Sequence, residues 1–351
     1  MNEDWKKVLI DPNAPVREAL KLMTEESYRM AIVANKDDSL KGVVCDGDIR
    51  RGLLKNYSLD DPTSKFMNPD PITAKRNQSH EELIALMEKN QILALPITDK
   101  NKVIGIKTFQ SREHKKVTEY ENPVFIMAGG FGTRLQPLTD NCPKPMLKIH
   151  DKPILQITIE RFIDQGFNEF IISLHYLPEH IRNYFGDGKD WGVNISYVDE
   201  PSPLGTGGSL GLIKNRNLSL PLVVINGDIL TTLDFTKLVE FHKNSKAEAT
   251  MCVREYEFQI PYGVIESKGD RIIDIFEKPI QKIFVNAGIY ILNPKILESI
   301  KENIFLDLPD LLKNNIANKQ KVFMFPIHEY WADIGSHKDF TKVQQDYRTI
   351  K

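Results

Sequence analysis

Residues 124–146 read VFIMAGGFGTRLQPLTDNCPKPM: an apolar run, Val124-Phe125-Ile126, opens into a segment with three glycines, one arginine and one lysine. This is the composition of a phosphate-handling loop leaving a buried strand. Gly129, Gly130 and Gly132 let the backbone come close to a polyanion, while Arg134 and Lys144 place positive charge beside it. Two familiar nucleotide loops are excluded. A dinucleotide fingerprint needs a third glycine at position 135, where Leu135 stands. A Walker loop needs Gly-Lys-Ser/Thr after four intervening residues, and none is present.

Outward from this loop the chain alternates strands and helices. Ile154 to Phe162 carries an apolar stripe at 154, 155, 159, 162 and 163, closed by Gly166, which predicts a helix. Phe170–Leu174 and Leu222–Asn226 read as further strands, apolar throughout. Such strands separated by helices imply an α/β fold with a mainly parallel sheet covered on both faces. Ligands bind outside the carboxyl ends of those strands, where the glycine loop and the turn Asn226-Gly227-Asp228 both fall. There Asp228 suits a hard cation such as Mg²⁺, which takes one or two carboxylates plus substrate phosphates. Asp333, in Tyr330-Trp331-Ala332-Asp333-Ile334-Gly335, is the second candidate, a hundred residues away. Taken alone, Asp228 reads equally well as a turn residue or helix N-cap, and Asp333 as a turn residue. Lys144-Pro145 and Lys278-Pro279 each hold a lysine beside a proline; two such lysines can neutralise two phosphoryl groups brought together. No Ser-His-Asp or Cys-His constellation is evident among the eight histidines.

The 351 residues suffice for two domains, and 41% hydrophobic with 27% charged content describes an ordinary soluble globular chain. A formal net charge of −2 gives no electrostatic argument for nucleic acid or an anionic membrane. Cys45, Cys142 and Cys252 lack metal spacing and do not form a disulfide framework. The N-terminus has no apolar core of a signal peptide, and no run approaches the roughly 18 apolar residues of a membrane helix. A cytoplasmic location is expected.

Residues 1–119 repeat themselves. Pro15–Met23 reads as an amphipathic helix, followed by the strand-like Met30–Val33, a turn at Lys36–Asp38, Lys41–Val44 and then Asp46-Gly47-Asp48-Ile49. About 64 residues later come the helix Glu82–Met87, the strand Leu93–Ile97, the turn Asp99–Lys102 and Val103–Ile106. Two copies of about sixty residues (1–60 and 61–119) resemble a tandem pair of CBS domains, an α+β module that often binds adenine nucleotides. That family places a Thr/Ser and, three residues on, an Asp after the second strand. Here the first copy keeps the acid, Asp48, after Cys45; the second keeps the hydroxyl, Thr108, before Ser111. The resemblance implies Asp48 and Thr108 as possible ligand contacts and a homo-oligomer as a plausible assembly. The polar connector TEYENP at 118–123 marks a boundary.

The second part, 122–351, resembles the sugar-1-phosphate nucleotidylyltransferases, which join a nucleoside triphosphate and a sugar 1-phosphate into an NDP-sugar. Met127–Met146 carries the signature. In family order follow Glu200-Pro201 with Leu204-Gly205-Thr206-Gly207-Gly208, Asn226-Gly227-Asp228, Glu277-Lys278-Pro279, Asn286-Ala287-Gly288 and Trp331–Gly335. The resemblance implies a Rossmann-like domain whose Ala128, Gly129, Gly130, Gly132 and Thr133 wrap the triphosphate. Arg134 then steadies the departing pyrophosphate and Lys144 the α-phosphate. Gly205 and Thr206 line the base or sugar pocket, and Asp228 and Asp333 hold Mg²⁺. Glu277, Lys278, Asn286 and Gly288 bind the sugar and its phosphate. Pro203–Gly208 looks more like the guanylyltransferase branch than the thymidylyl branch, so GTP is the expected donor. The CBS fusion resembles the glucosamine-1-phosphate guanylyltransferases that make precursors of bacterial nonulosonic acids and cell-surface glycans. Uridylyl or cytidylyl transfer to another sugar 1-phosphate, or a catalytically silent nucleotide-sensing regulator, are the competing readings. No hexapeptide-repeat segment follows Gly335, so neither acetyltransferase activity nor a left-handed β-helix is expected.

Overall fold

Val124–Met127 (β1) is an inner strand, third of seven, in the main sheet of the computed structural model, which describes residues 3–25, 30–76, 78–90, 92, 94–108, 119–216 and 218–350. The others are Glu169–Leu174 (β2), Asn194–Asp199 (β3), Leu222–Asn226 (β4), Ala249–Gln259 (β5), Ile280–Leu292 (β6) and Val322–Ile327 (β7). They lie in the order β3-β2-β1-β4-β6-β5-β7. Pairing is parallel from β3 through β4 and again between β5 and β7, and antiparallel on both sides of β6. The sheet is thus mainly parallel, and its order reverses between β1 and β4, so the loops leaving these two strands diverge and open a crevice.

The strands are apolar throughout because both faces are covered. Val124 and Ile126 point to the face packed by Leu155, Ile159 and Phe162 of the helix Ile154–Asp164. Phe125 points to the other, against Leu210 and Ile213. All of these are fully buried, and each contributes about 1.5–3 kcal/mol. The helix stops as its sequence predicts. Gly166, at φ 92°, lets Phe167 N–H reach the Phe162 carbonyl (3.1 Å) and Gly166 N–H that of Ile163 (2.9 Å).

A small antiparallel pair, Ile229–Thr231 with Trp331–Asp333, begins just past β4, in register Ile229 to Asp333. It brings the two strand-end acids, distant in sequence, to one place. The C-terminal helix His337–Ile350 packs Val343 into the cluster of Leu135, Leu147 and Ile334 beneath them. Beyond the sheet, β5 and β6 run out as a ribbon that continues into an exposed hairpin, Val264–Lys268 with Arg271–Phe276.

The chain divides into two compact units, Met1–Lys115 and Lys116–Lys351. In the first, the helices Val16–Glu25 and His80–Asn90 precede the strand pairs Met30–Ala34/Leu40–Cys45 and Ala94–Asp99/Lys102–Thr108. Each pair adds a short parallel strand, Leu9–Ile10 or Ala74–Lys75. The copies share a core in which Trp5, Val8, Met30 and Ile32 meet Ala94 and Val103. Ser111 and Thr118 fall outside the described residues, as does Leu93 at the head of the second strand.

Candidate active site

β1 and β4 end level, Met127 opposite Asn226, and the chain turns at once after both. Gly227 donates to the Met127 carbonyl at 2.8 Å, and a Cβ there would sit 2.7 Å from that oxygen, so only glycine lets the two strand ends close up. Above them lies a cavity of about 310 Å³, at the lower end of the range for ligand pockets. Ala128, Gly129, Gly130 and Phe131 form one wall, Lys144 and Asp228 the floor, and Leu204 to Thr206 with Phe305 and Asp307 the other.

The loop glycines have different duties. A Cβ on Gly129 would lie 2.7 Å from Glu200 Oε1; that carboxylate is held by the Ser173 hydroxyl and by Leu204 N–H at 3.2 Å. Gly132 adopts φ 66° and is pressed by Thr139 and Lys144. Gly130 faces open space. On the opposite wall Gly205, at φ 73°, packs on the Leu306 carbonyl, and Gly208 on that of Ile304. The Thr206 hydroxyl is committed, donating to Asp307 at 3.2 Å and accepting from Leu308 N–H at 2.9 Å. Gly205 and Thr206 therefore line the cavity, and packing accounts for much of their identity.

Charge gathers at the floor. Lys144, in the one-turn helix Lys144–Met146 and only 8% exposed, pairs with Asp228 Oδ2. Asp228 Oδ1 is buried with no hydrogen-bond partner in the structure. Asp333 stands beside the pair, tied through Ile334 N–H to the Asp228 carbonyl at 3.1 Å. Although Asp333 as a whole is exposed, desolvation of its carboxyl raises its pKa, and the Asp228 carboxylate adds to the shift; Lys144 and Arg134 pull against both. Arg134 reaches this point from the exposed end of the glycine loop, its guanidinium abutting Gly335. The structure so brings Arg134, Lys144, Asp228 and Asp333 together. Two repelling carboxylates, one with a buried unsatisfied oxygen, form a donor set that fits a hard divalent cation.

Four other predicted residues lie elsewhere. Glu277 and Lys278 are exposed at the base of the hairpin and do not border the cavity; the Lys278 carbonyl accepts from Gln259 at 3.2 Å. Asn286 is engaged locally within β6, at its register shift against β5, donating to Tyr290 Oη and accepting from Gly288 N–H at 3.0 Å. Gly288, at φ 69°, backs onto the Asn226 amide, where a Cβ would come within 2.8 Å. It acts on the cavity through Asn226, whose Oδ1 is buried and unpaired. Conversely, Glu200, Phe305 and Asp307 border the cavity without having been assigned a role from sequence. Glu200 follows β3 directly, so the strand-end rule that found Asp228 also points to it; nothing in the sequence marks Phe305 or Asp307.

In the first unit Asp48 is occupied. Its Oδ2 accepts from Cys45 N–H (2.9 Å) and Sγ (2.8 Å), capping the helix Asp46–Leu54, and its Oδ1 pairs with Arg51 at 2.5 Å. Burial, reinforced by Asp48, pushes the Cys45 thiol up to about 11. Thr108 ends its strand opposite Ala94.

The fold and the site define a nucleotidyl-transfer class, and comparison with known proteins agrees. The family model for nucleotidyl transferases matches residues 124–350, and that for CBS domains matches 4–55 and 64–106. The chain belongs to the nucleotidyl transferase family and carries a CBS pair ahead of the transferase domain. Mannose-1-phosphate guanyltransferase of Yarrowia lipolytica is 36% identical over 229 residues, 61% of this chain and 61% of that protein. The mannose-1-phosphate guanylyltransferase catalytic subunit beta of Drosophila melanogaster is 34% identical over 228 residues, 61% and 60% of the two chains. The chain thus spans about three-fifths of the curated relatives it matches. Among solved structures, HddC from Yersinia pseudotuberculosis complexed with GMP-PN is 29% identical with a TM-score of 0.51, covering 64% of this chain and 99% of that one. A UDP-glucose pyrophosphorylase complexed with UDP-glucose, 22% identical at TM-score 0.51 over 66% of this chain and all of the other, shares the fold. No helix among the described residues is long and apolar enough to cross a membrane.

Proposed function

We propose that the second unit transfers a nucleoside monophosphate, GMP from GTP foremost, to a sugar 1-phosphate and releases pyrophosphate. The observation that carries this reading is the meeting of Lys144, Asp228, Asp333 and Arg134 at the strand ends beside the glycine loop. A phosphate oxygen of the sugar phosphate attacks the α-phosphorus in line; the new P–O bond forms as the α–β bridging bond breaks, and its electron pair leaves on pyrophosphate. Chain residues bind and orient. Ala128, Gly129, Gly130, Gly132 and Thr133 cradle the phosphates, and Arg134 meets the charge that grows on the leaving group. Lys144, rigid on its one-turn helix, meets the α-phosphate. Asp228 and Asp333 would hold Mg²⁺, which supplies neutralisation of phosphate oxygens. Glu277, Lys278, Asn286 and Gly288 are assigned to the sugar phosphate on motif order.

GTP as donor rests on the guanylyltransferase names of the relatives and on GMP-PN in HddC. The acceptor is a hexose 1-phosphate: the relatives favour mannose, the CBS fusion favours glucosamine 1-phosphate and hence glycan or nonulosonic acid precursor supply. The N-terminal pair is read as a structural or dimerising module, because Asp48 is already committed to Cys45 and Arg51. Pyrophosphate release, measured with Mg²⁺, each of the four nucleoside triphosphates and both hexose 1-phosphates, tests all of this. Absence of release with every pair removes the enzyme reading, and release with UTP or CTP alone removes the guanylyl assignment.

A further inference from the structure

Phe131 and Phe305 are 45% and 65% exposed, and both border the cavity above the strand ends, on opposite walls. Phenylalanine is ordinarily buried, so two left bare around one cavity mark a surface kept for an occupant. Phe131 is held in place. Its ring meets His175 edge-on at 5.4 Å and Tyr176 at 5.5 Å, two residues that follow β2 directly. Each is anchored: His175 Nδ1 bonds the Glu200 carbonyl at 2.9 Å, and Tyr176 Oη is shared between the Thr139 and Asp140 carbonyls at 3.0 and 2.9 Å. Beside the ring the space is open, since a Cβ on Gly130 would meet nothing within 4 Å. Phe305 stands on a segment that is also pinned, for Leu306 donates to the Leu204 carbonyl at 2.9 Å and accepts from Gly207 N–H at 2.7 Å. Two rings on fixed backbones thus face one opening.

The occupant follows from what lies around the rings. The glycine loop and Lys144 are the partners of phosphate groups, and Glu277 and Lys278, assigned to the sugar phosphate, do not border this cavity. The flat, largely apolar group left to face the two walls is the nucleobase. We propose that Phe131 and Phe305 form an aromatic clamp that takes the base of the triphosphate between their rings; this rests on the nucleotidyl-transfer reading given above. Stacking reads the face of a base and not its edge, so the clamp adds affinity for every base and adds most for the larger face of a purine. It therefore favours GTP and ATP over UTP and CTP, and leaves the choice between the two purines to hydrogen-bonding groups at the base edge.

Titration calorimetry on the full chain with Mg²⁺ and no acceptor sugar compares GTP with inorganic tripolyphosphate, which carries the phosphate charge but no base. Phe131→Ala and Phe305→Ala should each weaken GTP binding about 5–100-fold, weaken UTP binding less, and leave tripolyphosphate binding unchanged. Phe305→Trp should keep the wild-type affinity for GTP, and its added indole fluorescence should be quenched by GTP but not by tripolyphosphate. Wild-type GTP binding in both alanine variants overturns the clamp and leaves the transferase reading standing. So does GTP binding by the native chain that is no tighter than tripolyphosphate binding. An equal loss of GTP and tripolyphosphate also overturns it, by showing that the rings only shape the loop. Weakened hexose 1-phosphate binding with GTP binding retained does the same, by placing the sugar between the walls. A native chain that binds neither GTP nor tripolyphosphate removes the transferase reading and the clamp with it.

Discussion

Asp228→Asn separates the observed pairing of the floor carboxylate with Lys144 from its proposed hold on a cation. Its Oδ2 contacts Lys144, with side-chain exposures of 10% for the lysine and 24% for the acid, while Oδ1 is buried and unsatisfied. Removing one partner of a fully buried pair costs about 3–5 kcal/mol. Here the residual exposure, the acceptor kept by asparagine and the relief of Asp333 repulsion all reduce that, to about 1–2 kcal/mol. For a unit of this size the melting temperature should then fall by roughly 2–8 °C. The cation site loses much more. With one of two carboxylates gone, turnover should drop about 10²–10³-fold, the scale on which one preorganised electrostatic group acts.

A calorimetric melt with and without Mg²⁺ and GTP gives the independent readout. At a hundredfold excess over the dissociation constant, ligation stabilises wild type by about 2.7 kcal/mol, a rise of about 5–11 °C. Asp228→Asn should lose most of that rise. A variant that melts upward with Mg²⁺ as far as wild type, or turns over at the wild-type rate, refutes the assignment of Asp228 to the cation.

Lys144→Met keeps the side chain's bulk and removes the charge; pyrophosphate release should fall about 10²–10³-fold in single-turnover kinetics, with GTP binding less affected. Gly129→Ala drives a methyl against Glu200, which Ser173 and Leu204 hold in place, so a destabilisation of about 1–3 kcal/mol should appear in chemical denaturation. For Asp333 the sign follows from its raised pKa: the folded state binds its proton more readily than the unfolded chain, so its ionisation destabilises the fold. Asp333→Asn should therefore stabilise the metal-free protein above the raised value. The gain should shrink as pH falls toward the ordinary carboxylate range and vanish below it, as thermal melts across pH will check.

Much of the transferase unit is legible because its strands are buried on both faces and so read as uninterrupted apolar runs. Val124–Met127 and Leu222–Asn226 could be placed, and the strand-end rule then put Asp228 beside the glycine loop. Asp333 was a weaker reading. Its partnership with Asp228 is made by a three-residue ladder, Ile229–Thr231 with Trp331–Asp333, across a hundred residues of chain. A pairing that short and that distant leaves no periodic trace. Phe305 and Asp307 were invisible for a related reason: they reach the cavity from an irregular segment packed on Gly205 and Gly208 of the same wall. Asp48 is ambiguous in the sequence, since an acid three residues after a strand end matches both a ligand contact and a capping box. Only coordinates show the Cys45 amide taking its carboxylate.

The Lys144–Asp228 pair bears on how the site is kept ready. A lysine 8% exposed and opposed by two carboxylates is held at the floor, and the buried Asp228 Oδ1 has no partner. Asp228 Oδ1 is thus short of a partner, although Lys144 and Arg134 balance the two carboxylates in charge. Asp228 and Asp333 would hold the cation through the unpartnered Oδ1, and with their charge so neutralised Lys144 would be less tightly held and available to the α-phosphate. Binding the triphosphate with its cation and releasing the lysine toward its task are then one event. Hence Lys144 should become more reactive to amine acylation when Mg²⁺ is added without nucleotide, as mass spectrometry of the labelled peptide would show. Unchanged labelling would mean that the pair persists and that the lysine acts from where it stands.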